Sequence, residues 1–236
     1  MQKTYALFDF DGTLIRGDSI ILLCLYARRK GLYGRREAAA LLWTALLYGL
    51  RVCPALEAKE RALSFLKGKN AEQIAALALD FYNSVLAPRL RPQALEAINR
   101  HRAAGHEVLL VSASSMFYLK LLKDRLGFTD IIGTRLDVDE TGIFAGRVCG
   151  DNCRGLQKPL RLAEYLAARG DTLDYETSAA YGDSYGDLPM LRLCGRKVAV
   201  NPRPRLWRAL RRLDGAVRVR WREPEPAGRP EARATA

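Results

Sequence analysis

The sequence predicts an α/β protein built on a doubly wound parallel sheet, with an all-helical segment inserted after the first strand. Three observations carry this. Short apolar strands alternate with helices along most of the chain. One stretch of about seventy residues, by contrast, shows only helical periodicity. Acidic residues also gather directly after two of the strands, where open α/β sheets place their ligands. A chain of 236 residues has room for one large domain with such an insertion. With 49% hydrophobic and 27% charged residues it is an ordinary globular composition, which excludes global disorder, a collagen and a disulfide-built miniprotein.

Tyr5 to Phe10 (YALFDF) reads as a buried parallel strand. Helices are expected at Ile20–Arg29, Arg35–Leu50, Ala55–Leu66 and Ala71–Val85, punctuated by Gly31, Gly34, Pro54 and Gly68. A helix over Pro92–Ala104 leads to a second buried strand, Glu107–Val111, and then to a helix over Ser114–Arg125. Strands at Ile131–Leu136 and Ile143–Val148 flank an Asp-Glu-Thr-Gly turn. A helix at Leu160–Ala168, a strand at Ser178–Tyr181, a helical turn at Leu188–Leu193 and a closing strand at Lys197–Val200 complete the sheet. The expected division is an α/β core of 1–15 and 88–222, a helical cap of 16–87 and a disordered tail of 223–236, which is rich in Pro, Ala, Arg and Glu.

Thirty-eight basic residues against twenty-six acidic ones give a net charge of +12. The excess is uneven: 16–69 carries eleven basic and four acidic residues, and 199–222 carries eight arginines against Asp214. This favours an anionic substrate or lipid surface, while the lack of aromatic-basic interleaving disfavours nucleic acid. The longest uncharged apolar run, 38–50, is too short to span a bilayer. It is expected to be a buried cap helix, with an interfacial segment beside anionic lipid as the alternative. Trp43 and Tyr48 on it are expected to pack the cap. The five scattered cysteines lack zinc spacing and read as reduced, packed thiols. No signal peptide precedes the first strand, so the expected location is cytoplasmic, or peripheral at the inner membrane surface. His101 and His106 are expected at the surface.

Asp9 and Asp11 end the first strand and are followed at once by Gly12-Thr13. Two carboxylates converging there, with Asp183 and Asp187 after a later strand, form a hard-oxygen set that suits Mg²⁺. Ser112 ends the second core strand with a hydroxyl and nearby N–H groups for phosphate oxygens, helix capping being its alternative duty. Lys158, before Pro159, supplies a point charge for an anion.

Phe8-Asp9-Phe10-Asp11-Gly12-Thr13-Leu14, Leu110-Val111-Ser112-Ala113-Ser114, Lys158-Pro159 and Gly182-Asp183-Ser184-Tyr185-Gly186-Asp187, in this order, resemble the four motifs of the haloacid dehalogenase superfamily. The helical insertion resembles the cap of its phosphoserine-phosphatase-like subfamily. The resemblance implies a Rossmann-like core, a mobile lid and a Mg²⁺-dependent phosphatase acting on a small phosphorylated metabolite. It implies Asp9 as nucleophile and Asp11 as general acid, then base. It further implies Ser112, Ala113 and Lys158 as phosphate-binding groups, and Asp9, Asp11 (through its carbonyl), Asp183 and Asp187 around the metal. In that subfamily the fourth motif commonly reads Gly-Asp-Gly-x-Asn-Asp, whereas Ser184 and Gly186 stand here. Asp18 falls where phosphoserine phosphatases carry a Glu for the substrate amine, and Arg61 lies near their carboxylate-binding cap arginine.

Residues Asn152–Lys158, the apolar cap and the Gly-Asp-Ser-x-x-Asp motif are also similar to bacterial phosphatidylglycerophosphatase-like enzymes. That leaves a lipid phosphate at a membrane surface as the alternative substrate. A non-catalytic anion-binding module is the third reading, and the intact Asp9, Asp11, Lys158 and Asp183 count against it.

Overall fold

The computed structural model describes residues 1–50 and 52–224. Its sheet runs β5-β4-β3-β2-β7-β8-β9, with β2 (Tyr5–Phe8) and β3 (Glu107–Ser115) at the centre. β4 (Asp130–Val138), β7 (Ala179–Gly182), β8 (Arg196–Val200) and β9 (Ala216–Val219) all join in parallel. Among the described residues only β5 (Phe144–Cys149) runs antiparallel, as the return arm of the hairpin from β4. A separate short pair joins β1 (Gln2–Lys3) to β6 (Thr172–Leu173). The fold is thus α/β with a parallel-dominated, doubly wound sheet.

Every residue of β2 and β7 is buried, as expected of central parallel strands covered on both faces. On one face Phe8 stacks on Tyr181 with ring centroids 4.2 Å apart and meets Phe128 edge-on. Such aromatic pairs add about 0.5–1.5 kcal/mol each beyond the area they bury. On the other face Tyr5, Leu7, Leu109, Val111 and Ala180 pack under Leu162, Met190, Leu191, Leu206 and Leu210.

The helices between β2 and β3 begin with α1 (Ser19–Arg29), whose N-cap Asp18 accepts from the amides of Ile20 and Ile21. α2 (Arg35–Gly49) and α3 (Ala55–Ala62) follow. α4 (Ala71–Phe81) starts from a reciprocal Asn70/Gln73 capping box and loosens into a wide π turn over Tyr82–Leu86. α5 (Pro92–Ala103) then leads into β3, and α6 (Met116–Leu119) and α7 (Leu122–Leu126) lie between β3 and β4. α8 (Gln157–Arg169) precedes β6, α9 (Leu188–Leu191) precedes β8, and α10 (Pro204–Leu210) precedes β9.

The structure corrects several sequence expectations. β3 runs on to Ser115, because four residues there face two on β4: Val111 pairs with Ile132, and Ser115 with Thr134. That bulge takes up the residues expected to begin a helix, and the helix that follows breaks into α6 and α7. The sheet does not close at Lys197–Val200; β9 pairs beyond it, and the basic segment 203–222 contributes an edge strand and the buried Leu206 and Leu210.

α2 is not a buried helix. Thr44 is its one buried residue, and Trp43 is 62% exposed. His101 and His106 are half-buried rather than surface groups. Their Nδ1 atoms lie 2.9 Å apart, and His101 Nε2 sits 2.8 Å from the Tyr181 hydroxyl. Burial, then His106 and neighbouring arginines, lowers His101 to about 4. Of the five free cysteines, Cys149 is exposed, whereas Cys53, Cys153 and Cys194 are buried as expected. In the region expected as a tail, Glu223 forms an ion pair with Arg16, and 225–236 lie outside the described residues.

Candidate active site

The parallel register sets the carboxyl ends of β2, β3 and β7 side by side, so the residues that follow these strands share one edge. Asp9 follows β2, Ser112 and Ala113 lie in the β3 bulge, and Asp183 follows β7 directly. They open into a cavity of about 570 Å³ that Asp11, Asp18, Lys158 and Asp187 also line. α1, α2 and α3 close it from the other side with Ile20, Ile21, Leu41, Ala45, Tyr48 and Ala58. One wall is therefore charged and the opposite wall largely apolar.

At the charged end, Lys158 is almost wholly buried, and its ammonium donates to Asp9 Oδ1 and Asp187 Oδ1 at 2.6 Å each. Asp187 also accepts from the Ser184 amide at 3.0 Å and the Ser184 hydroxyl at 2.9 Å. Carboxylate oxygens of Asp9, Asp183 and Asp187 lie within 4.8 Å of one another, all three residues buried. One buried ammonium is thus set against three buried acids, joined by the mostly exposed Arg203, whose Nε is 3.4 Å from Asp183 Oδ2.

The unbalanced charge weakens the buried acids and raises their pKa values. Burial and then Asp187 push Asp9 well above its ordinary value, with Lys158 opposing. The same two causes, partly offset by Arg203 and Lys158, raise Asp183 to about 7. Burial alone would lower the Lys158 amine, but Asp187 and Asp9 outweigh it and hold the amine above its usual range.

Two glycines leave space for this crowding. Gly12 has φ +76°, and a Cβ there would lie 2.6 Å from Asp183 Cγ; a Cβ on Gly182 would lie 2.6 Å from Asp187 Cβ. The donor set fits a hard divalent cation: oxygen ligands only, more negative charge than the protein itself neutralises, and backbone cleared around it.

Asp11 is held apart from that cluster. Its carboxylate accepts from the Ser19 amide at 2.7 Å and from the Ser114 hydroxyl, and Ser19 Oγ in turn lies 2.6 Å from the Tyr118 hydroxyl. Burial and the nearby Asp18 raise Asp11 to about 6, with the hydrogen bonds from Ser114 and Ser19 pulling the other way. Ser112 is buried and accepts from the Ser114 amide, and the cap of the following helix is Ser115, not Ser112.

Of the two residues that the resemblance places at the substrate, Asp18 lines the cavity while its carboxylate caps α1. Arg61 is outside the cavity lining; its side chain is half exposed, 3.9 Å from Glu57. Lys59, two residues earlier, occupies the site instead. Its ammonium is buried and donates to the Ala113 carbonyl, to Asn152 Oδ1 and, at 3.4 Å, to Thr134 Oγ1. Burial lowers it to about 8, even though Asp11 and Asp18 favour its charge.

A helical wheel of α3 carries the signal for Lys59: it shares the face of Ala55 and Ala62, while Glu57, Glu60 and Arg61 take the other side. Arg154, within the stretch Asn152–Lys158, also lines the cavity, beside Tyr48, its Nη1 3.4 Å from that hydroxyl.

The model of the haloacid dehalogenase-like hydrolase family matches residues 6–192, and the chain belongs to that family. As an enzyme it is a phosphoric monoester hydrolase. Among curated relatives, a histidinol-phosphatase of Neisseria meningitidis is 32% identical over 85% of this chain and 91% of its own length. Phosphoserine phosphatase SerB1 of Mycobacterium tuberculosis is 29% identical over 89% of this chain and 68% of its own. Among solved structures, a protein of unknown function from Bordetella pertussis Tohama I is 28% identical, with a TM-score of 0.81 over 92% of this chain and 99% of that one. A substrate-bound phosphoserine phosphatase shares the fold at 22% identity, with a TM-score of 0.61 over 87% of this chain and 90% of that one.

Proposed function

We propose that the chain is a Mg²⁺-dependent phosphatase that hydrolyses the phosphate monoester of a small metabolite through an aspartyl-phosphate on Asp9. The observation that carries this reading is the buried cluster of Asp9, Asp183, Asp187 and Lys158 at the sheet's carboxyl edge, with Asp11 separately tethered beside it. The division of labour follows the chain: 1–15 and 88–222 form the catalytic core, and 16–87 the cap.

Asp9 attacks phosphorus in line, and the alkoxide leaves with the proton of Asp11. Asp11 then takes a proton from the water that attacks the acyl phosphate, and Asp9 is regenerated with release of inorganic phosphate. A group raised to about 6 suits both duties near neutral pH. The Ser19 and Ser114 hydrogen bonds aim Asp11 without occupying Asp9. Ser112, the Ala113 amide and Lys158 bind the phosphoryl oxygens, and Lys158 offsets the charge that develops there.

Asp9, Asp183 and Asp187, with the Asp11 carbonyl, would hold Mg²⁺, which when bound neutralises phosphoryl charge and keeps the Asp9 carboxylate ionised. The names of the relatives support an amine-bearing substrate such as phosphoserine or histidinol phosphate, with Asp18 as the acidic group on the cap side of the cavity.

The test is phosphate release from an aryl phosphate with Mg²⁺ and with excess chelator. It is followed by a screen of phosphoserine, histidinol phosphate, sugar phosphates and phosphatidylglycerophosphate. Activity should require Mg²⁺ and vanish in Asp9→Asn. Turnover by that variant, or undiminished turnover in chelator, would overturn the mechanism.

A further inference from the structure

α2 is apolar on two opposite sides. Leu41, Thr44, Ala45 and Tyr48, spaced i, i+3, i+4 and i+7, turn toward the cavity. Leu42, Trp43, Leu46 and Leu50 lie on the other side, each 52–66% exposed. α1 adds Ile21 and Leu25, also about half exposed, and Ile21 and Tyr48 belong both to this exposed set and to the cavity wall. A helix that is hydrophobic all round is normally enclosed, and an exposed apolar surface larger than a few hundred Å² marks an interaction site. Among the described residues, the outer face of α2 has no partner.

Charge selects the occupant. Arg28 and Arg29 at the end of α1 and Arg35 and Arg36 at the start of α2 are exposed, and none forms an ion pair among the described residues. The segment 16–69 holds eleven basic residues against four acidic ones. A second copy would bring the same positive charge to the contact, so self-association through this face is opposed electrostatically. Nucleic acid would satisfy the arginines and leave four large apolar side chains in water. An anionic lipid surface satisfies both: lipid phosphates for the guanidinium groups and the acyl boundary for Leu42, Leu46 and Leu50, with Trp43 at headgroup depth. No helix among the described residues is long and apolar enough to cross a membrane, so the contact is a resting one.

We infer that the outer face of α2, with Ile21 and Leu25 of α1, is a docking surface for anionic membranes. Docked in this way, the apolar wall of the cavity borders the lipid headgroups. This inference is independent of the substrate assigned to the site.

The full chain is floated with vesicles of phosphatidylcholine containing about 30% phosphatidylglycerol, and with phosphatidylcholine alone, at low and at high salt. Flotation should be at least about tenfold greater with the anionic vesicles and fall steeply with salt. The triple variant Leu42→Glu, Trp43→Glu, Leu46→Glu changes only solvent-facing positions. It should keep the circular dichroism and aryl-phosphatase activity of the parent and stay with the pellet. If that variant misfolds, emission quenching by bromine-labelled lipid decides the matter: quenching in the parent that disappears in Trp43→Phe supports the surface, and its persistence overturns it. Failure of the parent to float at low salt also overturns it, as does a concentration-dependent dimer that the triple variant abolishes, since a second copy would then cover the face.

Discussion

Replacing Lys59 by Met tests the linkage between the helical cap and the catalytic edge. The side chain keeps its length and loses its charge. In the parent, the ammonium is buried against the Ala113 carbonyl, Asn152 and Thr134 with no carboxylate in salt-bridge range among the described residues. Burial, opposed by the charges of Asp11 and Asp18, lowers its pKa from 10.5 to about 8, a net penalty of roughly 3 kcal/mol on the charged form. Its hydrogen bonds return about 1.5–3 kcal/mol. The two nearly cancel at pH 7, so the variant should be within about 1 kcal/mol of the parent there. The pH dependence separates them.

Between pH 8 and 10.5 the unfolded chain holds a proton on Lys59 that the folded chain has released, so parental stability rises with pH through this window and is lost as pH falls to 8. Urea unfolding at pH 7 and 9.5 should show the parent gaining about 2 kcal/mol on the variant, all other titrations being common to both. Parallel curves would refute the claim that Lys59 is a desolvated charge. The variant should also lose about tenfold to a hundredfold in kcat/KM, because the cation beside the β3 bulge is gone. An unchanged kcat/KM would remove Lys59 from the site.

Further outcomes follow from the same geometry. Gly12→Ala places a Cβ against Asp183 in a left-handed conformation, and should cost at least about 1–2 kcal/mol and most of the Mg²⁺-stimulated activity; a fully active variant contradicts the crowding. Asp11→Asn should retain a stable fold and lose about 10²–10⁴-fold in turnover, checked by steady-state phosphate release. Mg²⁺ should raise the thermal midpoint of the parent by mass action, and by less in Asp183→Asn; equal shifts would place the cation elsewhere. His101 is lowered to about 4, so it destabilises the fold as pH falls from 6.5 toward 4. His101→Phe should therefore lose less stability than the parent over that range, measured by urea unfolding.

What was legible in the sequence is what local patterning encodes. Apolar runs ending in acid located β2 and the strand before Asp183, and their shared parallel direction placed Asp9, Asp11, Ser112, Lys158, Asp183 and Asp187 on one cavity. Continuous helical periodicity from Ser19 onward marked the insertion. Lys59 was missed in favour of Arg61 because residues two apart on a helix point in opposite directions, and only the packing of α3 shows which one faces inward. β9 was missed because a four-residue edge strand, Ala216–Val219, with no fully buried residue has no core pattern of its own.

Taken by itself, the sequence determined the α/β class, the helical insertion and the acid-rich chemistry, since these rest on residue type and on spacing within single elements. The tertiary structure alone decided which charges lack partners. Among the described residues, Lys158 meets two carboxylates from different loops, Lys59 meets none, His101 closes on Tyr181 with His106 against its other ring nitrogen, and the outer face of α2 lies open to solvent. Burial and pairing are sums over neighbours distant in sequence, so they exist only once the chain has folded.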